Sequence, residues 1–412
     1  MYPLDPKPLQ GLQQGRWSGV GPNVYFLGLT SLLTDISSEM VTSILPIYLV
    51  FALGLSPLQF GIVDGLSQAV AALARLGSGL LADRWRNNRE VAAAGYALSA
   101  VSKLLLLAAG SAWLQLSSAI MLDRIGKGMR TSPRDALISL SSTPQRLGLA
   151  FGVHRAMDTF GALLGPLVAF GILSLLVNAF DLVFVASFFF AVVGIATLLC
   201  FVKNVSSDGA PASARRPMLV DVAQLFKGRH FRMIVLAGSV LGLVTVADSF
   251  FFLLLQRKMS MQAASFPLLY VATAAVYMLL AIPAGRLGDR FGRGRVFLIG
   301  HALLVLACVN LLLSGDGLPG GLLSLGLLGA YYACTDGVLM AAASAFLPKE
   351  LRATGLAMLA TAIGMSRMVA SLMFGAIWEL QSADVAIGAF AAGLVVAMLV
   401  TARPLMRLAA VQ

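Results

Sequence analysis

Charge is scarce in this sequence. Only 12% of its 412 residues are Asp, Glu, Lys or Arg, and 58% are apolar, against about 25% charged and 45–50% apolar in ordinary soluble domains. The mean hydropathy is +0.85. A soluble fold of this length would have to expose large apolar patches, so the bilayer is the natural solvent. Cysteine is also rare. Cys200, Cys308 and Cys334 sit far apart inside apolar runs, which excludes a disulfide framework and any metal-ligand spacing. The stretch "MYPLDPKPLQGLQQGRW" lacks the short apolar core and cleavage site of a signal peptide. No G-x-x-x-x-G-K-[ST] loop is present around Lys127, so no nucleotide site is expected. No cofactor or metal is implied.

What is abundant is apolar runs of about 20 residues, the length of a membrane helix. Twelve are expected, over 22–52, 57–82, 91–113, 116–141, 147–176, 180–202, 231–255, 264–284, 295–314, 318–346, 353–377 and 383–402. The polar stretch 203–230, with Gly, Pro, Ser and paired arginines, reads as a linker between residues 1–202 and 231–412. The formal net charge is +11. In a soluble chain that would suggest nucleic acid, but here the bases fall in alternate loops. Those loops include Arg84, Arg86 and Arg89, then Arg215 and Arg216, then Arg290, Arg293 and Arg295, with Arg257 and Lys258 as exceptions. The pattern predicts both termini and the linker on the cytoplasmic side, and no nucleic-acid partner.

The sequence also repeats. "GSGLLADRWRNNR" starts at Gly77 and "PAGRLGDRFGRGR" at Pro283; Asp83 and Asp289 are 206 apart (289 − 83), half the chain. Arg146 and Arg352 share that offset (352 − 146). Whole-half repetition marks a parallel-repeat transporter. The loop residues Gly79, Asp83 and Arg84, repeated as Gly285, Asp289 and Arg290, fit a gate. Glycine permits close helix approach, and an aspartate at a helix end can pair with arginines or face a helix N-terminus.

The stretch "DRIGKGMRTSPRD" places six charges in the fourth apolar run. Asp123, Lys127, Arg130 and Arg134 follow helical spacing and share one stripe. Charge facing lipid is expensive, so that stripe should face a cavity or gate. Arg124, Lys127 and Arg130 are the candidate substrate ligands, with Arg155, Asp158 and Asp336. Asp336 lies at the 206 offset from Arg130. Arg134 and Asp135 are expected at the gate. Asp123 and Lys127 have the spacing to neutralise each other along the helix. Lys103 and Arg367 are further intramembrane bases, for which snorkelling is the simple expectation.

In the first run, Asp35 and Glu39 are i, i+4 carboxylates with Pro46 beyond them; pairing with bases of runs 4 and 5 is the structural alternative to proton exchange. Asp248 repeats a carboxylate in run 7, and His154 has the chemistry to carry protons. These four are the proton-coupling candidates. Gly161, Gly165 and Pro166 suit close helix packing.

These residues carry a resemblance. The duplicated loop resembles the G-x-L-a-D-[RK]-x-G-[RK]-[RK] motif of the major facilitator superfamily, with Asn87 and Asn88 departing from it in the first copy. Arg124, Lys127 and Gly128 resemble the R-x-x-Q-G start of the drug:proton antiporter motif, with Lys127 in place of Gln. Gly161, Gly165 and Pro166 resemble the G-x-x-x-G-P-x-x-G-G signature of the same branch, with Ala169 and Phe170 at its last two glycines. The resemblance implies an all-α membrane protein of twelve transmembrane helices in two pseudo-symmetric six-helix bundles. It implies a proton-coupled secondary transporter of a small organic solute in a bacterial inner membrane, acting as a monomer. An anionic solute is expected from the basic stripe, and export from the antiporter likeness. Drug-type efflux, a lipid-modifying enzyme built on Asp35, His154 and Asp123, and a non-transporting sensor are the rival readings.

Overall fold

The computed structural model describes residues 21–85, 87–110, 112–143, 146–205, 225, 228–348 and 351–408, and not the side chains of 75–85, 352–353 and 407–408. Most of the linker 203–230, and the side chains of Gly79, Asp83 and Arg84, therefore lie outside the described residues.

The regular elements among the described residues are all helices, without a strand. In chain order the helices are α1 (Pro22–Ile47), α2 (Pro57–Trp85), α3 (Asn88–Ala108), α4 (Trp113–Leu140), α5 (Leu147–Leu175) and α6 (Phe180–Phe201). They continue as α7 (Arg229–Gly242), α8 (Asp248–Lys258), α9 (Pro267–Phe291), α10 (Arg293–Leu313), α11 (Leu318–Thr335), α12 (Val338–Ser344), α13 (Arg352–Leu380) and α14 (Ala383–Leu408). Proline opens α1, α2 and α9, where its missing N–H costs nothing and its fixed φ suits the first turn. Pro46 lies inside α1, and a π-turn over Tyr48–Ala52 continues that helix, a common place for the backbone ladder to loosen.

Two expected runs are broken. Run 231–255 divides into α7 and α8 around Leu243–Ala247, and run 318–346 divides into α11 and α12 at Asp336–Gly337, where Gly337 has φ +74°. Glycine takes that conformation without steric cost. Hydropathy does not register such breaks, because both flanks stay apolar. Nine helical stretches among the described residues are long and apolar enough to cross a membrane. α2 and α4 are long enough but more polar, and α7 and α8 are individually short.

Packing follows small residues. A Cβ on Gly161 would overlap the Leu32 backbone, and one on Gly165 would come within 2.8 Å of the Ile36 carbonyl, so the expected glycines do seat α5 on α1. α2 lies along α13 in the same way. A Cβ on Gly61 would be 2.6 Å from the Ser371 carbonyl, and one on Gly375 would be 2.5 Å from that of Pro57. Helices α1–α6 pack on one another, and so do α7 and α9–α14. The pairs α2–α13 and α5–α9 join the two sets.

Candidate functional site

A cavity of about 630 Å³ lies between α1, α2, α4 and α5 on one side and the α7–α8 connection, α8, α9 and α13 on the other. α4 supplies its charged wall, and packing explains the two glycines around Lys127. A Cβ on Gly126 would stand 2.6 Å from the Gly95 carbonyl of α3, and one on Gly128 would overlap Ala74 of α2. The glycines press α4 between two helices, and Lys127 is left facing the cavity.

The ion pairs run between helices rather than along α4. Arg130 of α4 donates to Asp35 of α1 at 3.1 Å, and both are buried. Its guanidinium also lies over the Tyr96 ring, 4.7 Å from the centroid. Lys127 meets Glu39 at 3.1 Å with side chains 37% and 22% exposed. Asp123 pairs with Lys103 of α3 and accepts from Ser99. That corrects two expectations: Asp123 does not neutralise Lys127, and Lys103 is 1% exposed and does not snorkel. Arg367 does not snorkel either; it lines the cavity from α13. Arg134 contacts Asp135 at 3.1 Å and Asp158 at 3.4 Å, and Arg155 reaches Asp158 at 3.4 Å.

The lining holds six carboxylates (Asp35, Glu39, Asp64, Asp135, Asp158, Asp248) and six cations (Arg124, Lys127, Arg130, Arg134, Arg155, Arg367). The basic stripe of α4 therefore gives the N-terminal helices no positive surplus there: they bring five carboxylates and five cations, Asp64 among the former, and Lys103 is held by Asp123. The groups differ in what satisfies them. Asp64 accepts from Ser249 of α8 at 2.7 Å and from Ser371 of α13 at 2.8 Å, and Asp248 accepts from Tyr332. Among the described residues Arg124 has no ion pair or side-chain hydrogen bond. Among the same residues Arg367 reaches only the Tyr331 hydroxyl at 3.5 Å, and its Nε has no acceptor.

One end of the cavity is shut. Phe250 packs on Phe60, Phe374 and Trp378 there. Glu379 accepts from the Ser56 hydroxyl at 2.6 Å and the Leu58 amide at 2.9 Å. Arg257 and Lys258, the exceptions to the loop-charge pattern, belong to this closure: Arg257 lies over Phe51 and Trp378, and Lys258 donates to the Ser314 carbonyl at 3.0 Å. The opposite end carries the exposed side chains of Asp135 (44%) and Arg155 (77%).

Other expected residues stand away from the cavity. His154 is 3% exposed, shares a 2.9 Å hydrogen bond with Ser31, and does not line it. Asp336 is exposed and accepts from Tyr277 at 3.1 Å in a smaller adjoining pocket. Asp289 accepts from Arg293 on the next helix at 3.2 Å, and Arg290 lies over Phe291. A Cβ on Gly285 would meet open space, so Gly285 serves no close approach in this conformation. The glycine that shapes that loop is Gly292, at φ +94° between α9 and α10. Asp64 and the tyrosines of α9 and α11 went unread in the sequence. A lone carboxylate at membrane depth is the signal that marks Asp64.

Comparison with known proteins agrees with this architecture. The family model described as Major Facilitator Superfamily matches residues 27–276 and 254–409. An uncharacterized MFS-type transporter of Methanocaldococcus jannaschii is 32% identical over 368 residues, covering 87% of this chain and 89% of its own. The multidrug resistance protein MdtH of Yersinia pestis is 24% identical over 288 residues, 69% of each chain. In fold, the crystal structure of the nucleoside transporter NupG aligns with a TM-score of 0.73 at 18% identity, covering 93% of this chain and 98% of that one. The chain is an integral membrane protein and belongs to the major facilitator superfamily of transporters, not to a class of enzymes.

Proposed function

We propose that this chain is a secondary active transporter that moves a small organic solute with a negative group across a bacterial inner membrane by alternating access. Its twelve spans form two six-helix halves, residues 1–202 and 231–412, joined by a cytoplasmic linker. α7 with α8, and α11 with α12, each make one span. Both termini are cytoplasmic, so the shut end of the cavity faces outward and the open end inward. Asp35 and Glu39 are the proton-coupling carboxylates. Asp83 with Arg84, Asp289 with Arg290, and Arg134 with Asp135 serve the inner gate.

The observation that carries the solute's sign is the unequal satisfaction of the cavity's charges. Its carboxylates are occupied by cations or hydroxyls, whereas Arg124 and Arg367 have no carboxylate within ion-pair distance among the described residues. An unpaired guanidinium in a membrane protein is costly, and a carboxylate or phosphate is its natural partner. The test is a thermal-shift screen of purified protein against charged solutes, followed by binding to Arg124→Gln and Arg367→Gln. A hydrogen bond to a charged group contributes about 1.5–3 kcal/mol, so each variant should bind the anionic solute found about 10- to 100-fold more weakly. A screen that yields no solute with a negative group, or full affinity in both variants, rejects the reading.

Export is the direction favoured by the relative named a multidrug resistance protein. Drug-type efflux is the second reading, and a lipophilic cation from the screen would support it.

A further inference from the structure

Beside the main cavity, and sharing Asp248 and Tyr270 with it, lies a pocket of about 210 Å³. Three helices build it. α9 gives Tyr270, Thr273, Ala274 and Tyr277, spaced i, i+3, i+4, i+7 on one face; α8 gives Asp248 and Phe252; α11 gives Tyr332, with Asp336 just past its end. Among the described residues no basic side chain lines it. Arg367, Arg155 and Arg124 reach it electrostatically, acting on Tyr332, Tyr277 and Tyr270. Arg155 is already paired with Asp158.

The hydroxyls and carboxylates of this pocket use each other. Tyr332 donates to Asp248, and Tyr277 donates to Asp336 at 3.1 Å. With the protons of Tyr277, Tyr332 and Thr273 engaged, what remains for a guest is ring faces, carboxylate charge and the Tyr270 hydroxyl. Phe252 and Tyr270 lie 4.5 Å apart by centroid at an interplanar angle of 55°, so the two rings present differently directed faces. Ring faces attract cations through their quadrupole, and a methylated ammonium, which needs no hydrogen-bond acceptor, is the ligand such walls suit best. The two aspartates supply the counter-charge.

We propose that this pocket binds the methylated ammonium group of the solute, so that the transported molecule is a zwitterion. The ammonium sits among Tyr270, Tyr277, Tyr332 and Phe252, and the negative group sits in the main cavity at Arg124 and Arg367. The balance of six carboxylates and six cations in the main cavity suits a guest with no net charge. The second half of this statement rests on the anionic reading above; the first half stands on the pocket alone.

Choline separates the two, because it carries a quaternary ammonium and no negative group. Its binding to the purified full-length protein is measured by titration calorimetry. Wild type should bind choline saturably. Tyr277→Ala and Asp336→Asn should each weaken it at least tenfold. Tyr277→Phe, which keeps the ring, should stay within about threefold. Asp336 is exposed, so its replacement leaves folding intact, which elution as a single species verifies. Absent choline binding, or equal binding by Tyr277→Ala and wild type, overturns the pocket. That result leaves the anionic reading to its own test.

Discussion

Asp35→Asn is expected to abolish solute accumulation driven by an imposed pH gradient, by at least 100-fold, while exchange of solute down its own gradient continues. Asp35 is 8% exposed and accepts from Arg130 at 3.1 Å. Removing one member of a buried ion pair leaves the other charge uncompensated, at a cost of about 3–5 kcal/mol. A proton on Asp35 does the same thing reversibly, so proton occupancy is converted into a change of partner for Arg130. Asparagine fixes the proton-bound charge state and removes the reversibility, not the cavity. Arg130→Gln strands the carboxylate instead and should lower the melting temperature. Glu39 and Lys127 form the same kind of pair at the same distance but are 22% and 37% exposed. Water screens them, and such pairs contribute about 0–1 kcal/mol. Glu39→Gln should therefore slow driven transport only a few-fold. Paired assays in proteoliposomes, one with an imposed pH gradient and one of counterflow, decide this. Driven accumulation that survives in Asp35→Asn removes Asp35 from the coupling step, and transport that requires sodium removes protons from it.

The sequence carried most of the architecture because its signals are local. Run lengths placed 147–176 and 180–202 within a residue or two of α5 and α6. The run 22–52 matches α1 with its π-turn, since the helix stays apolar beyond Pro46. Helical spacing on α4 identified a charged stripe, and Lys127 and Arg130 of that stripe do face the cavity. Partner choice was not legible. Asp123 and Lys127 are i, i+4, but each has a better partner across a helix interface, at Lys103 and Glu39. An i, i+4 pair stabilises by only about 0.2–0.5 kcal/mol, too little to outweigh such contacts in an apolar setting. Arg155 and Asp158, three apart on α5, do meet, at a mouth where no other carboxylate among the described residues pairs with Arg155. The helix breaks at 243–247 and 336–337 were silent because hydropathy reports burial, not hydrogen bonding. The second pocket was silent because Asp248, Tyr270, Tyr277 and Tyr332 converge from three helices.

Asp64→Asn is expected to open the shut end of the cavity. The Asp64 carboxylate is the acceptor for two hydroxyls that come from α8 and α13, while Asp64 itself sits on α2. In the two-half reading these bonds cross between halves at the inner edge of the aromatic plug. Arg124 and Arg367 from the cation side, and Asp248 and Tyr270 from the other, are the charged or titratable groups within its electrostatic reach. None of them forms an ion pair with it among the described residues, so the serines carry the attachment. Hydrogen bonds to a charged acceptor contribute about 1.5–3 kcal/mol each, and neutral ones roughly half as much. Neutralising Asp64 should thus weaken the closure by about 2 kcal/mol, a shift of roughly 30-fold in the ratio of closed to open. The serine pair offers a second route to the same state, because Ser249→Ala with Ser371→Ala removes both donors and leaves the charge. Spin labels at Leu53 and Gln262, in the α1–α2 and α8–α9 connections at the shut end, read the separation by pulsed EPR. Both variants should move population from a short distance to a long one without any solute, and Asp64→Glu should retain the short one. Distances that stay at wild-type values in both variants would show that the aromatic plug closes that end without Asp64.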